Sequence, residues 1–187
     1  MQKTLPSRVI DLLRELTTVP RAQRSARLDS FGREARDLLR TVAGGTIEPD
    51  NHTVRLSALA AIEYDRSEPD LSIQVLRSVL AADPDPGARL QAMDSLLALG
   101  KAEDREAVRA RLRDSKESPT IALAAARALL ATEGKAALAD VEELRRRMQA
   151  RLGGRSLPSL RGLDRLIAHA QAAGAARTQA ARRIIVN

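Results

Sequence analysis

Apolar residues along this chain recur every three or four positions. Examples are Leu28, Phe31, Ala35, Leu38 and Val42, and later Leu138, Val141, Leu144, Met148 and Leu152. This period places side chains on one face of an α-helix and predicts an all-α protein. We expect helices near 6–18, 21–43, 51–64, 69–82, 86–99, 103–114, 119–132, 136–152, 157–173 and 175–185, and no strand before the last few residues.

One apolar pattern is written three times, at intervals of 34 and 33 residues. It reads VRLSALAAI at 54–62, ARLQAMDSL at 88–96 and IALAAARAL at 121–129. A small residue holds the middle of each copy, at Ala58, Ala92 and Ala125. The helices that follow repeat as well, with Val75, Val108 and Val141 spaced by 33. Each unit is therefore a helix pair, and pairs of this size bury their apolar faces by stacking on one another.

The repeated segments carry a resemblance to a known family. DPDPGARLQAMDSLLALG, from Asp83 to Gly100, and DNHTVRLSALAAI, from Asp50 to Ile62, resemble the short HEAT-like repeat of bilin lyases and bacterial adaptor proteins. The resemblance covers about residues 50–152. It implies a short right-handed α-solenoid of HEAT-like helical hairpins in a single domain, 1–187, with capping helices at 1–49 and 153–187. An irregular helical bundle is the alternative.

The resemblance also implies a structural role for four charged residues. In HEAT-like proteins such residues form a ladder that joins adjacent turns, and the residues at these positions are Asp50, Arg55, Asp85 and Arg89. The third copy departs from the pattern, because Ala122 stands where the first two have arginine.

Composition excludes several kinds of chemistry. The chain has no cysteine, so no disulfide, thiolate metal site or cysteine nucleophile can form. Neither His52 nor His169 has a second histidine or a carboxylate at metal-ligand spacing, and no nucleophile motif is present. We therefore expect no enzyme activity, no metal and no cofactor. No apolar run is long enough for a secretory signal or a membrane span, which favours a cytoplasmic protein.

Positive charge is concentrated in the last third of the chain. The net charge is +7, and residues 135–187 carry 11 basic and 4 acidic side chains, whereas residues 50–134 carry 11 and 14. Such a surplus favours an anionic partner: nucleic acid, a membrane surface or an acidic protein.

The resemblance points to a surface for this partner. In HEAT-like solenoids the second helix of each pair tends to line the concave face, which here means 69–82, 103–114 and 136–152. The candidate partner-binding residues on these helices are Arg77, Arg109, Arg113, Arg146, Arg147 and Arg151. A solvated face, partly neutralised by pairs such as Glu142 with Arg146, is the competing interpretation.

The leading hypothesis is a non-enzymatic HEAT-repeat adaptor or scaffold. It would bind an acidic or amphipathic element of a partner protein through a basic concave face, without a small-molecule substrate. A protein that binds the nucleic-acid backbone with the same arginines is the alternative. A HEAT-like DNA glycosylase is less favoured, because Phe31 and Tyr64 are the only aromatic residues.

Overall fold

The fold of the described chain is entirely helical. The computed structural model describes residues 5–47, 52–151 and 158–185, with side chains at all of these except 5, 6, 159 and 174–185. These residues form ten α-helices and no strand. The helices are α1 Leu5–Thr18, α2 Arg24–Ser30, α3 Arg33–Ala43, α4 His52–Ala61, α5 Pro69–Ala82, α6 Pro86–Leu99, α7 Ala102–Arg113, α8 Pro119–Glu133, α9 Leu138–Arg151 and α10 Pro158–Ile185. Short 3-10 helices lie at Arg21–Gln23, Ile62–Tyr64 and Gly134–Ala137.

Local sequence signals set several helix ends. Prolines occupy the first turns of α5, α6 and α8, where a missing N–H costs no hydrogen bond. The carboxylate of Asp85 accepts from two backbone amides at the start of α6, and the Ser118 hydroxyl accepts from the amide of Ile121. Gly100 ends α6 in the left-handed conformation, at φ 74°. Ser67, in contrast, does not cap α5; its hydroxyl donates to Asp29 over 2.6 Å.

Two glycines change the predicted helix count in opposite directions. The expected helix 21–43 is broken, because Gly32 adopts φ 81° and ψ 173° between α2 and α3. This backbone conformation is open almost solely to glycine. The expected break after residue 173 is absent, because the backbone of Gly174 is helical within α10. A glycine alone therefore does not determine a helix end.

The chain divides into two compact units, Met1–Asp104 and Arg105–Asn187, and the division lies inside α7. In the first unit α5 packs on α6, α3 on α4, and α4 on both α6 and α1. Ala58 and Ala92 lie in α4 and α6 and are fully buried. The predicted small, buried positions are confirmed here, and they permit close approach of these two helices.

In the second unit α10 packs on α8 and α9, and the 3-10 helix Gly134–Ala137 contacts all three helices. Ala125 is as deeply buried as its two counterparts in the first unit. The other columns of the repeated pattern are buried too: Val54, Ile62, Ala88, Leu96, Ile121 and Leu129. The predicted core positions are thus confirmed, whereas the single domain with borders near 50 and 152 stays a prediction.

Candidate functional site

Of the four residues of the predicted ladder, Arg55 binds a carboxylate outside that set. Arg55 of α4 donates to both carboxylate oxygens of Asp83, at the end of α5. Both side chains are largely buried, and Arg55 also donates to the backbone oxygen of Ala43 over 3.4 Å. Burial raises the pKa of Asp83, but hydrogen bonds from Arg55 and from the amide of Asp85, with the nearby charge of Arg89, lower it overall.

Asp85 contacts both the start of its own helix and a residue of α4. Its oxygens accept from the amides of Gly87 and Ala88 at 2.9 and 3.2 Å, which anchors the first turn of α6. Its carboxylate also lies 3.3 Å from Nδ1 of His52. Asp50 lies outside the described residues. Arg55 therefore binds Asp83 and Asp85 caps α6, while the ladder as a whole stays a prediction.

Arg77, the first of the candidate partner-binding residues, is bound to acids of its own unit. Its Nε donates to Oδ1 of Asp104 over 2.7 Å, and Glu103 lies 3.3 Å away. Asp104 is completely buried in the first turn of α7. The hydrogen bond to Asp104 raises the pKa of Arg77.

Arg109 and Arg113 form a second cluster with the start of α9. Arg109 donates to Asp140 over 3.0 Å, to Glu106 over 2.6 Å, and also to Glu133. Arg113 donates to Asp140 over 3.0 Å and to Glu106 over 3.3 Å. Asp140 is in the first turn of α9, where the helix dipole favours a negative charge. These two arginines are held by acids within the second unit.

A third arginine, which the sequence analysis did not single out, repeats the arrangement. Arg40 of α3 donates to Glu68 at the start of α5 over 2.7 Å, and to Asp65 and Asp37. Burial lowers the pKa of Arg40, but these hydrogen bonds outweigh it and raise the pKa overall. The pairs Arg40–Glu68, Arg77–Asp104 and Arg109–Asp140 are separated by 28, 27 and 31 residues. We call these three pairs the arginine staples.

Sequence could have revealed the staples through one signal. Each staple joins an arginine in one helix to an acid at the start of a helix farther along the chain, from α3 to α5, from α5 to α7 and from α7 to α9, at 27 to 31 residues. Counting charges does not reveal this pairing. The arginines count as excess positive charge until the acid that binds each one is known.

Arg147 is used for helix capping. It donates to the backbone oxygens of Leu112 and Arg113, each over 2.7 Å, at the C-terminal end of α7. The last carbonyl groups of a helix have no partner within the helix, and they carry partial negative charge. Arg147 therefore stabilises the end of α7 from α9.

Two of the six candidates, Arg146 and Arg151, are not held by such contacts, and α10 adds two more arginines. The Arg146 side chain is 72% exposed, and among the described residues its one ion pair is with Glu143, three residues earlier. Arg151, Arg161 and Arg165 are exposed, and in the part of the chain that the structure describes no ion pair joins them to an acid. We call Arg146, Arg151, Arg161 and Arg165 the cationic rim.

The rim residues lie on two antiparallel helices. Arg145 of α9 binds Asp164 of α10, and Gln171 of α10 donates to Glu142 of α9 over 3.3 Å. The earlier residue of α9 thus meets the later residue of α10, so the two helices run in opposite directions. Arg151, at the end of α9, is therefore at the same end of the helix pair as Arg161. Arg161 and Arg165 share one face of α10, since they are four residues apart. The rim borders the space between α9 and α10.

The histidines and carboxylates of the described residues bear on whether the protein holds a metal or catalytic site. Among the described residues, no group of three histidines or carboxylates is placed to hold a metal ion. His169 is exposed, and among the acids that the structure describes His52 pairs with the helix-capping Asp85. None of the described helices has the length and apolar character needed to cross a membrane.

Comparisons with known proteins do not assign the chain to a family. No protein-family model, no curated protein and no solved structure matches it. The resemblance to the HEAT-like repeat therefore stays a prediction that rests on the repeated segments.

Proposed function

We propose that this protein is a non-enzymatic HEAT-like adaptor that binds an acidic segment of a partner protein through its cationic rim. The observation that carries the proposal is the division of the arginines into two groups. Arg77, Arg109, Arg113 and Arg147 are engaged by acids or by backbone oxygens of their own units. The rim arginines have no comparable buried acid among the described residues, and they cluster on the packed helices α9 and α10, so they form a group of cations available to an external anion.

The recurrent staples support the repeat organisation within this proposal. A HEAT-like solenoid needs equivalent contacts between successive helix pairs, and the staples and the buried alanines recur at close to that interval. In this arrangement most of the predicted arginines serve stacking, and the partner-binding surface is confined to α9 and α10. The adaptor hypothesis is kept, with Arg146 and Arg151 retained from the predicted set and Arg161 and Arg165 added.

Charge reversal of the rim tests the proposal. A variant with Arg151→Glu, Arg161→Glu and Arg165→Glu should lose its partner in crosslinked capture from host extract. The matched control is Lys116→Glu, Arg127→Glu and Lys135→Glu, because these residues are also exposed in the second unit and the change in net charge is the same. The control variant should keep the partner.

Nuclease treatment and salt distinguish the two kinds of partner. A protein partner survives nuclease digestion. Contacts with DNA phosphates give a log–log salt slope of about −0.9 per contact, which is steeper than a protein interface with an apolar centre. Capture that disappears after nuclease treatment would favour the nucleic-acid backbone binder. Undiminished capture by the rim variant would reject the cationic rim as the binding surface.

A further inference from the structure

A groove of about 410 Å³ lies between α9 and α10 in the second unit. Its lining residues are Glu142, Arg145, Arg146, Asp164, Ile167, Ala168 and Gln171. The two apolar lining residues are consecutive on α10: Ala168 is exposed, and Ile167 has 9% of its surface accessible. The aliphatic parts of arginine side chains extend such apolar surfaces. The groove therefore has an apolar floor between two antiparallel helices.

One of the two acids that line the groove is neutralised there, because Asp164 accepts from Arg145 across the groove. Glu142 accepts from the neutral amide of Gln171 over 3.3 Å and keeps its negative charge. At the margin Arg146 pairs with the half-exposed Glu143 over 2.8 Å. Arg161 and Arg165 are exposed on α10, and in the described part of the chain no ion pair joins them to an acid. A basic partner would meet uncompensated positive charge at this margin, and an acidic partner would find complementary charge.

We infer that this groove binds an acidic amphipathic helix from a partner protein. This inference rests on the proposed function and specifies its partner. The lined part of α10, from Asp164 to Gln171, corresponds to about two helical turns at roughly 1.5 Å per residue. Leucine-type side chains spaced three or four residues apart would occupy the floor at Ala168, and glutamates beside them would pair with Arg146 and Arg165.

A helical partner fits this surface better than an extended one. Addition of a strand needs an exposed sheet edge, and the described residues contain no strand. A flexible acidic tail would use the rim but not the apolar floor. The inference therefore predicts that binding depends on an apolar face as well as on negative charge.

Three fluorescent probes separate these contributions in an anisotropy titration of the full chain. The first is an acidic amphipathic peptide of about 18 residues, long enough to form a helix. The second has the same composition in scrambled order, and the third is polyglutamate of equal charge. The amphipathic peptide should bind about tenfold more tightly than the scrambled one, a difference of about 1.4 kcal/mol.

A groove-filling substitution tests the location. Ala168→Trp places a large side chain on the floor and should weaken binding of the amphipathic peptide about tenfold. Polyglutamate binding should not change. Ala173→Trp is the matched control, because Ala173 is also exposed on α10 but faces away from the groove. Circular dichroism verifies that both variants keep their helices, and Ala168→Glu provides a second groove variant.

The outcomes distinguish this inference from the proposed function. If the scrambled peptide binds as tightly as the amphipathic one, or if both Ala168 variants bind the amphipathic peptide unchanged, the groove is not a helix-binding site. A loss of binding in the rim variant would still support the cationic rim as a binding surface. If charge reversal at Arg151, Arg161 and Arg165 leaves all three probes unaffected, the proposed function itself fails. Displacement of the peptide by duplex DNA with a steep salt slope would also overturn the inference in favour of nucleic acid.

Discussion

The Nε of Arg77 donates to Oδ1 of Asp104 over 2.7 Å, and Asp104 is completely buried although it carries a charge. Arg77 is a candidate partner-binding residue by sequence, yet its principal partner is this acid in the same unit. The pair shows why positive charge on a helical repeat cannot be assigned to a ligand before its internal acids are found. Loss of either residue should change stability by a different amount, because Arg77 is partly exposed and Asp104 is not.

Removal of Arg77 should be more costly than removal of Asp104. Arg77→Ala leaves a buried carboxylate without its ion-pair partner, and we expect a loss of about 3 kcal/mol in the free energy of unfolding. Asp104→Asn leaves an arginine that can turn toward solvent, and we expect about 1 kcal/mol. Urea unfolding followed by circular dichroism measures both.

Lys101→Ala is the control for this comparison. Lys101 pairs with Asp70 over 3.3 Å, and both side chains are exposed, so the loss should stay below about 0.5 kcal/mol. An Arg77→Ala protein that is no less stable than Lys101→Ala would show that the buried staple contributes nothing.

The Arg55–Asp83 pair should make stability depend on pH in the acidic range. The pKa of Asp83 in the folded protein is lowered from its ordinary value of 3.8, so the folded state holds this proton less tightly than the unfolded state does. The stabilisation is therefore fully present above pH 3.8 and is lost as the pH falls through the lower folded value. Asp83→Asn should be less stable than the parent at neutral pH. The difference in the free energy of unfolding between the parent protein and Asp83→Asn should become smaller in acid. A difference that stays constant with pH would show that the Arg55–Asp83 pair does not cause this pH dependence.

Two glycine-to-alanine substitutions should have opposite signs. Gly32→Ala forces a Cβ onto a backbone at φ 81° and ψ 173°, and it should cost about 1–3 kcal/mol. Gly162→Ala lies within α10, where a Cβ would meet the Leu123 side chain at 3.8 Å, an ordinary contact. The higher helix propensity of alanine should raise stability there by up to about 1 kcal/mol. Thermal unfolding of the two variants side by side tests this, and a stabilised Gly32→Ala protein would count against the break between α2 and α3.

The close packing of α4 and α6 should be sensitive to side-chain volume. Ala92 is fully buried, so Ala92→Leu should overpack the interface and cost about 1–3 kcal/mol. Ala98→Leu is the control, because Ala98 lies on an exposed face of the same helix. If the two leucine variants are equally stable, the core accommodates the larger side chain. The close approach of α4 and α6 would then not depend on a small residue at position 92.

The helical period determined most of the fold in advance. It predicted the all-α class, most helix positions, and the burial of Ala58, Ala92 and Ala125. This succeeds because an apolar face is a property of spacing along one helix, and the sequence displays spacing directly. Capping signals such as Asp85 and Ser118 are local for the same reason, since the groups they bind lie only two or three residues away.

Only the tertiary structure decided which charged residues are free. A helical period reports the face on which Arg109 lies, but not that Glu133 and Asp140, 24 and 31 residues further along, meet its guanidinium. Such pairing depends on the rotation and register of neighbouring helices, which no single helix encodes. The break at Gly32 and the continuous helix through Gly174 could not be told apart from the sequence, because glycine permits both conformations. The sequence therefore determined where the arginines are, and the packing of the helices determined which of them remain available to a partner.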